Sequence, residues 1–253
     1  MDIDNIKKVE LLEDETIDDL QYKNLRFIQS NKAFKFGTDG VLLSSFANIK
    51  YGDTVVDYCS GSGIIPILVW ARSNAKKIIG LEIQEYLFNI AKRNAALNGL
   101  SEKIEFLNID IKDAPQILGQ GKIDCILCNP PYGKVGASLQ SDNDYIRFAR
   151  HEILCTLEDC IKSASKVLKY GGRVSFVHQA ERIDEIILLF NKYDIAAKRI
   201  QLIQASIDRP PNLILIEGVR GGKNSVKWLA PIILYDEKGN FTKRIRDIYH
   251  ENK

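Results

Sequence analysis

The sequence predicts an α/β fold in which helices cover both faces of a mostly parallel β-sheet. Short apolar runs alternate with helical patterns along the chain, which is the arrangement expected of βαβ units. The chain has 253 residues, 45% of them apolar, which is enough for one substantial core. No internal repeat, low-complexity tract or linker rich in proline and glycine divides it. We therefore expect one main domain with a short N-terminal addition.

The predicted elements follow from local residue preferences. Apolar and β-branched residues dominate the strand segments, Pro66 falls in the first turn of a helix, where a missing N–H costs little, and Gly99 stands where a helix should end. In chain order, the predicted strands cover residues 54–57, 77–82, 104–110, 123–128, 173–178, 198–204, 213–219 and 228–235, and the predicted helices cover 63–71, 84–98, 147–168 and 180–190. Residues 236–240 predict a hairpin turn, and residues 1–24 predict a polar, loosely ordered lead-in.

Several classes of protein are disfavoured by composition. The acidic N-terminus does not look like a cleavable signal, and no apolar segment reaches the roughly 18 residues of a membrane helix. Five cysteines form no even disulfide framework, which favours a reducing cytoplasm. Cys125 and Cys128 make a C-x-x-C pair, but their apolar run is typical of a buried strand, and no second pair completes a zinc site. We therefore expect no membrane span and no metal. The scattered His151, His178 and His250 are expected to be surface or ordinary core residues.

The net charge of +2 is unevenly distributed. Residues 1–24 contain eight acidic and three basic residues, whereas residues 198–253 contain eleven basic and six acidic residues. A basic C-terminal region, including Lys243, Arg244 and Arg246, can contact the phosphates of a nucleic acid. A plain solvated face would have the same composition, so charge alone leaves both interpretations open.

Glycines follow the first predicted strand, in the segment 57–63 with the sequence Asp-Tyr-Cys-Ser-Gly-Ser-Gly. Gly61 and Gly63 let the backbone approach a ligand and turn sharply into a helix, although a purely structural turn would look the same. Pro66 stands where a dinucleotide fingerprint has its third glycine, which argues against a nicotinamide cofactor. Ligands of such sheets bind at the carboxyl ends of the strands, so we expect the functional residues there.

Acidic residues end the second and third predicted strands. Glu82 can accept hydrogen bonds from both hydroxyls of a ribose, or it can be an N-terminal acid of the helix that starts near Gln84. Asp110 can accept a hydrogen bond from the exocyclic amine of an adenine, or it can cap residues 111–118. A glycine turn and two acids at the ends of three consecutive strands together favour a site for an adenosine-containing cofactor.

The most specific motif is Asn129-Pro130-Pro131-Tyr132, directly after the fourth predicted strand. The prolines fix the backbone, so the Asn129 side-chain oxygen and the Pro130 carbonyl can accept hydrogen bonds from one amino group, while Tyr132 offers an aromatic face. An amino group conjugated to a ring is a poor nucleophile, and two acceptors favour its attacking form. The motif indicates chemistry on a planar amine such as that of adenine, which must be swung out of a stack to react. The alternative is a simple proline turn.

The motifs at the strand ends together resemble the class I methyltransferases that use S-adenosyl-L-methionine, over roughly residues 35–220. These motifs are Asp57-x-x-x-Gly61-x-Gly63, Glu82, Asp110 and Asn129-Pro-Pro-Tyr132. Two further stretches resemble the bacterial tRNA (adenine-N6)-methyltransferases that modify the adenosine 3′ of the anticodon in a valine tRNA. One is Ile28-Gln29 with residues 34–43, and the other is Arg209-Pro-Pro followed by residues 213–217. The resemblance implies a Rossmann-like sheet of seven strands, mostly parallel, with helices on both faces. Its last strand is antiparallel and lies between the fifth and the sixth.

The resemblance also implies roles for individual residues. The expected cofactor-binding residues are Thr38, Asp39, Asp57, Gly61, Gly63, Glu82 and Asp110; the expected catalytic residues are Asn129, Pro130 and Tyr132; the expected substrate-binding residues are Asn129, Pro131, Tyr132 and Arg209. The segment 36–39 would fold over the methionine end of the cofactor. We expect a lead-in and cap segment over residues 1–35 and a methyltransferase domain over residues 36–253. The expected partner is tRNA, and the expected form is a cytoplasmic monomer.

Other targets stay open, because N-P-P-Y serves several classes. A glutamine N5-methyltransferase of release factors would resemble enzymes with a helical N-terminal domain of their own. Here the segment before the first predicted strand at Thr54 is short and contains the Phe36–Asp39 motif instead. A ribosomal RNA or DNA amino-methyltransferase is a further alternative, although no target-recognition insertion is visible. A non-catalytic RNA-binding protein is disfavoured because Asn129, Glu82 and the glycines are all present. One departure from the family pattern is Cys59, where a further glycine is usual.

Overall fold

A computed structural model describes residues 9–32, 37–132, 155–223 and 225–249 of the chain. Its first two strands form a separate hairpin, and the other nine form a central sheet. The strands are β1 Glu15–Asp19, β2 Arg26–Ser30, β3 Thr54–Tyr58, β4 Lys77–Leu81, β5 Ile104–Leu107, β6 Ile123–Cys128, β7 Leu168–Gln179, β8 Ile195–Gln204, β9 Leu213–Arg220, β10 Lys227–Trp228 and β11 Ile232–Ile233.

The long strands of the central sheet lie in the order β5-β4-β3-β6-β7-β9-β8, and the two-residue strands β10 and β11 pair with β8. The five adjacent strands β5, β4, β3, β6 and β7 are all parallel to one another. Strand β9 is antiparallel to both β7 and β8. This arrangement confirms the predicted seven-stranded sheet, in which the last long strand is antiparallel and lies between the fifth and the sixth.

Helices cover both faces of this sheet, as predicted. They are α1 Thr38–Phe46, α2 Ile64–Arg72, α3 Glu85–Leu97, α4 Ala114–Ile117, α5 Leu157–Val167, α6 Ile183–Lys192 and α7 Lys243–Tyr249. Neighbouring residues of a strand point to opposite faces, so Val55 packs into the core beside α1, α2 and α3, and Val56 packs into the core beside α5 and α6. None of the helices within the described ranges is both long and apolar enough to cross a membrane.

The hairpin of β1 and β2 corrects the expectation of a loosely ordered lead-in for the described part of residues 1–24, and residues 1–8 of that expectation lie outside the described ranges. The two strands pair from Glu15 opposite Ser30 to Asp19 opposite Arg26. The polar side chains lie mainly on β1, while β2 buries its residues against α3, so the polarity of this segment reflects a two-sided hairpin and not disorder. Asn94 of α3 holds the hairpin: its side chain accepts a hydrogen bond from the Ile28 N–H (2.6 Å) and donates to the Ile28 carbonyl (3.1 Å).

The helix predicted over residues 147–168 is α5, which begins at Leu157. Residues 147–154 of that prediction lie outside the described ranges. The start at Leu157 has a local cause, because the Thr156 hydroxyl accepts from the Asp159 N–H and the Asp159 carboxylate accepts from the Thr156 N–H, both at 3.1 Å. The helix ends where Leu168 begins β7.

The C-terminal region also differs from the prediction. The strand expected over residues 228–235 is split into β10 and β11, because Pro231 between them has no N–H for the ladder. The turn over residues 236–240 is confirmed by hydrogen bonds from the Asp236 N–H to the Asn240 carbonyl (2.8 Å). Helix α7 then follows, which the sequence analysis missed. Arg72 joins this helix to α1, since its guanidinium donates to the carbonyls of Ile248 (2.7 Å) and Val41 (3.0 Å).

Replacing Asn94 by alanine should destabilise the fold. Besides its bonds to Ile28, the buried Asn94 amide donates to the Ser62 carbonyl (3.0 Å), so it joins the hairpin to the loop after β3. Because alanine leaves these backbone groups unpaired, the free energy of unfolding should fall by about 2–4 kcal/mol in chemical denaturation. Asn191→Ala, at an exposed position of α6, is the matched control and should cost under about 0.5 kcal/mol. Equal losses in the two variants would contradict this role.

Candidate active site

Four parallel strands, β3 to β6, end at one level of the sheet, and the predicted binding motifs follow these ends. The pairs at that level are Leu107 with Leu81, Leu81 with Tyr58, Tyr58 with Cys128, and Cys128 with Phe176. The chain therefore leaves the sheet side by side at Glu82, Cys59 and Asn129. This brings the glycine loop and the N-P-P-Y motif, far apart in sequence, to one edge.

The loop after β3 turns by means of three left-handed residues. Gly61 and Gly63 have φ angles of 55° and 90°, which glycine adopts without strain. Cys59 has a φ of 58°, where an L residue costs about 1–2 kcal/mol. This is the physical reason for the usual glycine at that position. A Cβ on Gly63 would lie 2.8 Å from the Phe106 Cζ, whereas a Cβ on Gly61 would meet none of the described atoms within 4 Å. The loop therefore offers a ligand room at Gly61.

The Glu82 carboxylate fixes the shape of this loop. Its Oε2 accepts from the Gly61 N–H (2.8 Å), and its Oε1 accepts from the Gln84 N–H (2.9 Å) at the start of α3. Burial raises the pKa of the Glu82 carboxyl. Glu82 thus contacts the start of α3, which is one of the two roles that the sequence predicts for it. Each carboxylate oxygen keeps a further lone pair, so the ribose contact stays a prediction.

Asp57 is a buried acid with spare hydrogen-bonding capacity. It is 1% exposed, and neither carboxylate oxygen accepts a hydrogen bond of good geometry from the described residues. The nearby Ser60 hydroxyl donates instead to the Asp57 backbone carbonyl (3.1 Å). Burial raises the pKa of Asp57 well above its usual value, and the negative charge of Glu82 raises it further. Such a group fits a ligand that brings N–H donors or positive charge.

Asp110 takes the capping role that was the alternative to adenine binding. Its Oδ1 accepts from the Lys112 N–H (2.9 Å) at the start of a 3₁₀ turn over Ile111–Asp113. Its Oδ2 lies 3.0 Å from the Lys112 ammonium. A contact between Asp110 and a cofactor adenine is therefore not needed to explain this residue, and it stays a prediction.

The first turn of α1 borders the target motif. Residues 34–36 of the expected cap segment lie outside the described residues, but α1 begins at Thr38. Burial raises the pKa of the Asp39 carboxyl, and the nearby Tyr132 hydroxyl opposes this shift. The Thr38 hydroxyl forms a hydrogen bond with Tyr249 of α7. The structure thus brings Asp39 to the N-P-P-Y motif and places the C-terminal helix against Thr38.

The N-P-P-Y motif carries an internal hydrogen bond. The Tyr132 hydroxyl donates to the Asn129 Oδ1 at 2.6 Å. Burial raises the pKa of Tyr132 well above its usual value, and the Asp39 carboxylate raises it further, so the hydroxyl stays a donor. Pro130 is buried and Pro131 half-buried. The Asn129 oxygen has a second lone pair, so it can accept from a substrate amine while it is bound by Tyr132.

His178 is a site residue that the sequence analysis missed. It lies near the end of β7, fully buried, with its ring centroid 5.0 Å from that of Tyr132. Burial lowers the pKa of His178 to about 4, and the charge of Arg182 lowers it further. The neutral ring accepts from the Gln179 N–H at Nδ1 (2.8 Å), so its proton is on Nε2. That Nε2 has no partner among the described residues, so it can donate to an acceptor on a bound ligand.

Arg209 lies in the exposed loop between β8 and β9. Its carbonyl accepts from the Gln204 side chain (2.7 Å) at the end of β8. The same loop reaches the end of β7, because the Asn212 carbonyl accepts from the Ala180 N–H (3.0 Å). The loop is therefore at the same edge as His178, while the described structure shows no direct contact between Arg209 and the N-P-P-Y motif.

Known proteins resemble this chain in sequence and fold. Residues 49–210 match the family described as "Methyltransferase domain". A Porphyromonas gingivalis protein named tRNA1(Val) (adenine(37)-N6)-methyltransferase is 28% identical over 206 residues, which cover 79% of this chain and 80% of that protein. An Agrobacterium tumefaciens structure described as a "predicted O-methyltransferase" gives a TM-score of 0.68 at 21% identity, covering 83% of this chain and 95% of that one. A Streptomyces coelicolor geranyl diphosphate C-methyltransferase, solved with S-adenosyl-L-homocysteine, gives 0.52 at 14% identity, covering 72% and 79%.

The buried His178 should make stability depend on pH. Its pKa is about 4 in the folded chain and about 6.5 in the unfolded chain. Between these values only the unfolded state takes up the proton, so the contribution of His178 is complete above pH 6.5 and is lost as the pH falls to about 4, by about 3 kcal/mol in total. Denaturation at a series of pH values, compared with His178→Gln, measures the difference. Parallel curves for the two proteins would contradict the buried neutral ring.

Proposed function

Since the chain belongs to the methyltransferase domain family, we propose that it transfers the methyl group of S-adenosyl-L-methionine to the N6 amine of an adenine in tRNA, the adenosine next to the anticodon of a valine tRNA. One observation carries this proposal: the N-P-P-Y motif leaves β6 directly beside the glycine loop that leaves β3. A planar amine and a methyl donor can therefore meet at one edge of the sheet. The name of the Porphyromonas relative, which states this reaction, supports the choice of target.

The loop after β3 fits S-adenosyl-L-methionine. Gly61 leaves open space where a side chain would otherwise lie, and the unbonded Asp57 oxygens suit the donor groups of the cofactor. The remaining lone pairs of Glu82 suit the ribose hydroxyls, and Thr38 and Asp39 are in the segment that would cover the methionine end. When bound, the cofactor supplies a methyl group on a sulfonium, an electrophile so reactive that the protein needs no strong base.

Asn129 orients the amine in the proposed reaction. Its Oδ1 is held in place as an acceptor by the Tyr132 hydroxyl, and the Pro130 carbonyl is the second acceptor. Together they hold the two hydrogens of the amine and direct its lone pair at the methyl group. Tyr132 then stacks on the base through its aromatic face, which contributes about 1–3 kcal/mol. The ring of His178 packs against Tyr132 and supports it from the side away from the base.

The proposed tRNA partner fits the surface around this edge. Arg209 is exposed in the β8–β9 loop, and Lys243, Arg244 and Arg246 are exposed on α7. Such residues bind phosphates without regard to sequence. The five thiols are free, which agrees with the cytoplasm, where tRNA is found. The proposed functional unit is the monomer.

The first test is to incubate the protein with labelled S-adenosyl-L-methionine and, separately, with unmodified tRNA, ribosomal RNA and release factor. Mass spectrometry of the digested products identifies the methylated group. N6-methyladenosine in the tRNA sample alone is expected. Label in the release factor would instead support glutamine N5-methylation, and label in ribosomal RNA would support the RNA alternative; either result would overturn the tRNA target.

Replacing Asn129 by alanine should remove turnover while leaving cofactor binding intact. The variant loses the acceptor that aligns the amine, so the rate should fall by roughly 100- to 1,000-fold. Nucleoside mass spectrometry measures the rate, and calorimetry with S-adenosyl-L-methionine measures the affinity. Asn191→Ala is the matched control for the amide deletion. A large loss of cofactor affinity in Asn129→Ala would instead place Asn129 in the cofactor-binding part of the site and contradict its role with the amine.

Replacing Glu82 by glutamine should weaken cofactor binding first. Glutamine keeps one acceptor oxygen but loses the charge that strengthens hydrogen bonds to hydroxyl groups, so the dissociation constant should rise roughly 10- to 100-fold. Glu105→Gln, on the exposed end of the neighbouring β5, is the control and should bind normally. Unchanged affinity in Glu82→Gln would restrict Glu82 to its observed contacts with Gly61 and Gln84.

A further inference from the structure

Four of the five cysteines meet beside the active site, although they come from three separate segments. Cys59 follows β3, Cys128 ends β6, and Cys155 and Cys160 flank and enter α5. The sulfur atoms of Cys59, Cys155 and Cys160 all lie within 4.8 Å of one another. Those of Cys155 and Cys160 are 3.1 Å apart. The Cys128 thiol interacts with the thiols of both Cys59 and Cys160.

We propose that Cys59, Cys128, Cys155 and Cys160 form a tetrahedral zinc site. Zinc–thiolate bonds of about 2.3 Å in a tetrahedron place the sulfur atoms about 3.8 Å apart. Cys59, Cys155 and Cys160 already approach this spacing, and the thiol of Cys128, which interacts with two of them, would move in as the fourth ligand. All four residues are free cysteines in the structure, and four sulfur ligands favour a soft, borderline ion over magnesium or calcium. The proposal rests on these positions alone and does not depend on the methyl acceptor.

The chemistry of the cluster agrees with metal binding. Cys128, Cys155 and Cys160 are buried and Cys59 is half-buried, so the cluster is largely shielded from solvent. Binding of Zn²⁺ replaces the four thiol protons by four zinc–sulfur bonds and releases four protons to solvent, and no electrons are exchanged. The ammonium of Lys112 interacts electrostatically with Cys155 and would offset part of the negative charge of the site.

The backbone at Cys59 is an independent indication. This residue has the left-handed φ of 58° that glycine would adopt at about 1–2 kcal/mol less cost. A thiol at this position therefore needs a contribution that glycine cannot make. A metal bond supplies one, because it fixes the loop that leads to Gly61 and Gly63.

Cys125 provides a matched internal control. It lies in β6 three residues before Cys128 and is also fully buried, but it packs into the core on the other face of the sheet. Its replacement removes a buried thiol from the same strand and leaves the four-cysteine cluster intact. A zinc ion in the cluster would join the glycine loop, the residue before Asn129 and the start of α5, and so would position both halves of the active site.

The test measures metal in the full chain, produced without a metal-binding tag in zinc-supplemented medium. We expect about one zinc ion per wild-type chain by elemental mass spectrometry, the same content in Cys125→Ala, and a loss of more than about tenfold in Cys155→Ala and Cys160→Ala. Cobalt titration of chelator-treated wild-type protein should give the intense visible bands of thiolate-bound tetrahedral Co²⁺. Cysteine variants are checked for folding by circular dichroism.

Measurements on the wild-type protein decide the proposal even if a variant fails to fold. A wild-type chain without zinc, without cobalt bands and with unchanged thermal stability after chelation would overturn it. A disulfide between Cys155 and Cys160, found by peptide mass spectrometry of protein kept under reducing conditions, would also overturn it. Equal loss of zinc in Cys125→Ala would show that the metal is held elsewhere.

Discussion

The structure depends on the parallel register of β3 with its two neighbours. Tyr58 lies level with Leu81 on one side and with Cys128 on the other. Backbone hydrogen bonds fix the register of these strands to within a residue, so the loops that follow β3, β4 and β6 begin at the same edge of the sheet. A slip of one residue in β6 would turn every side chain of that strand to the opposite face and move Asn129 away from the glycine loop. The glycine loop and the amine-binding motif are thus positioned by the same ladder that stabilises the core.

Much of this arrangement can be predicted from sequence because its signals are local. The apolar run over 123–128 matches β6, and the glycines and prolines that follow the strands mark turns with specific backbone angles. The fold class and the strand order that it implies follow from such patterns. From the sequence alone Glu82 and Asp110 each have two interpretations, since a carboxylate at a strand end can serve a helix start, a ligand or both. In the structure both acids bind helix starts.

The missed features depend on contacts between distant segments. His178 carries no motif, and only its burial against Tyr132 with an unpaired Nε2 marks it. The hairpin resembles a lead-in in the sequence because most of its charges lie on β1, and its partner Asn94 is far along the chain. Spacing pairs Cys125 with Cys128, yet alternation along β6 sends these two to opposite faces. A cluster assembled from three segments has no signature in spacing.

Helix α7 ties the last described segment of the chain to the first residues of the site. Thr38 bonds to Tyr249, and Arg72 bonds to Ile248. During synthesis on the ribosome, the residues around Thr38 emerge long before their partners in α7 exist. The central sheet is also incomplete until β9 is synthesised, because β9 inserts between β7 and β8. The nascent chain must therefore remain incompletely packed through most of its translation, and it gains a complete binding edge only when α7 has left the exit tunnel. Chaperones that shield apolar surface would act on this protein mainly in that interval.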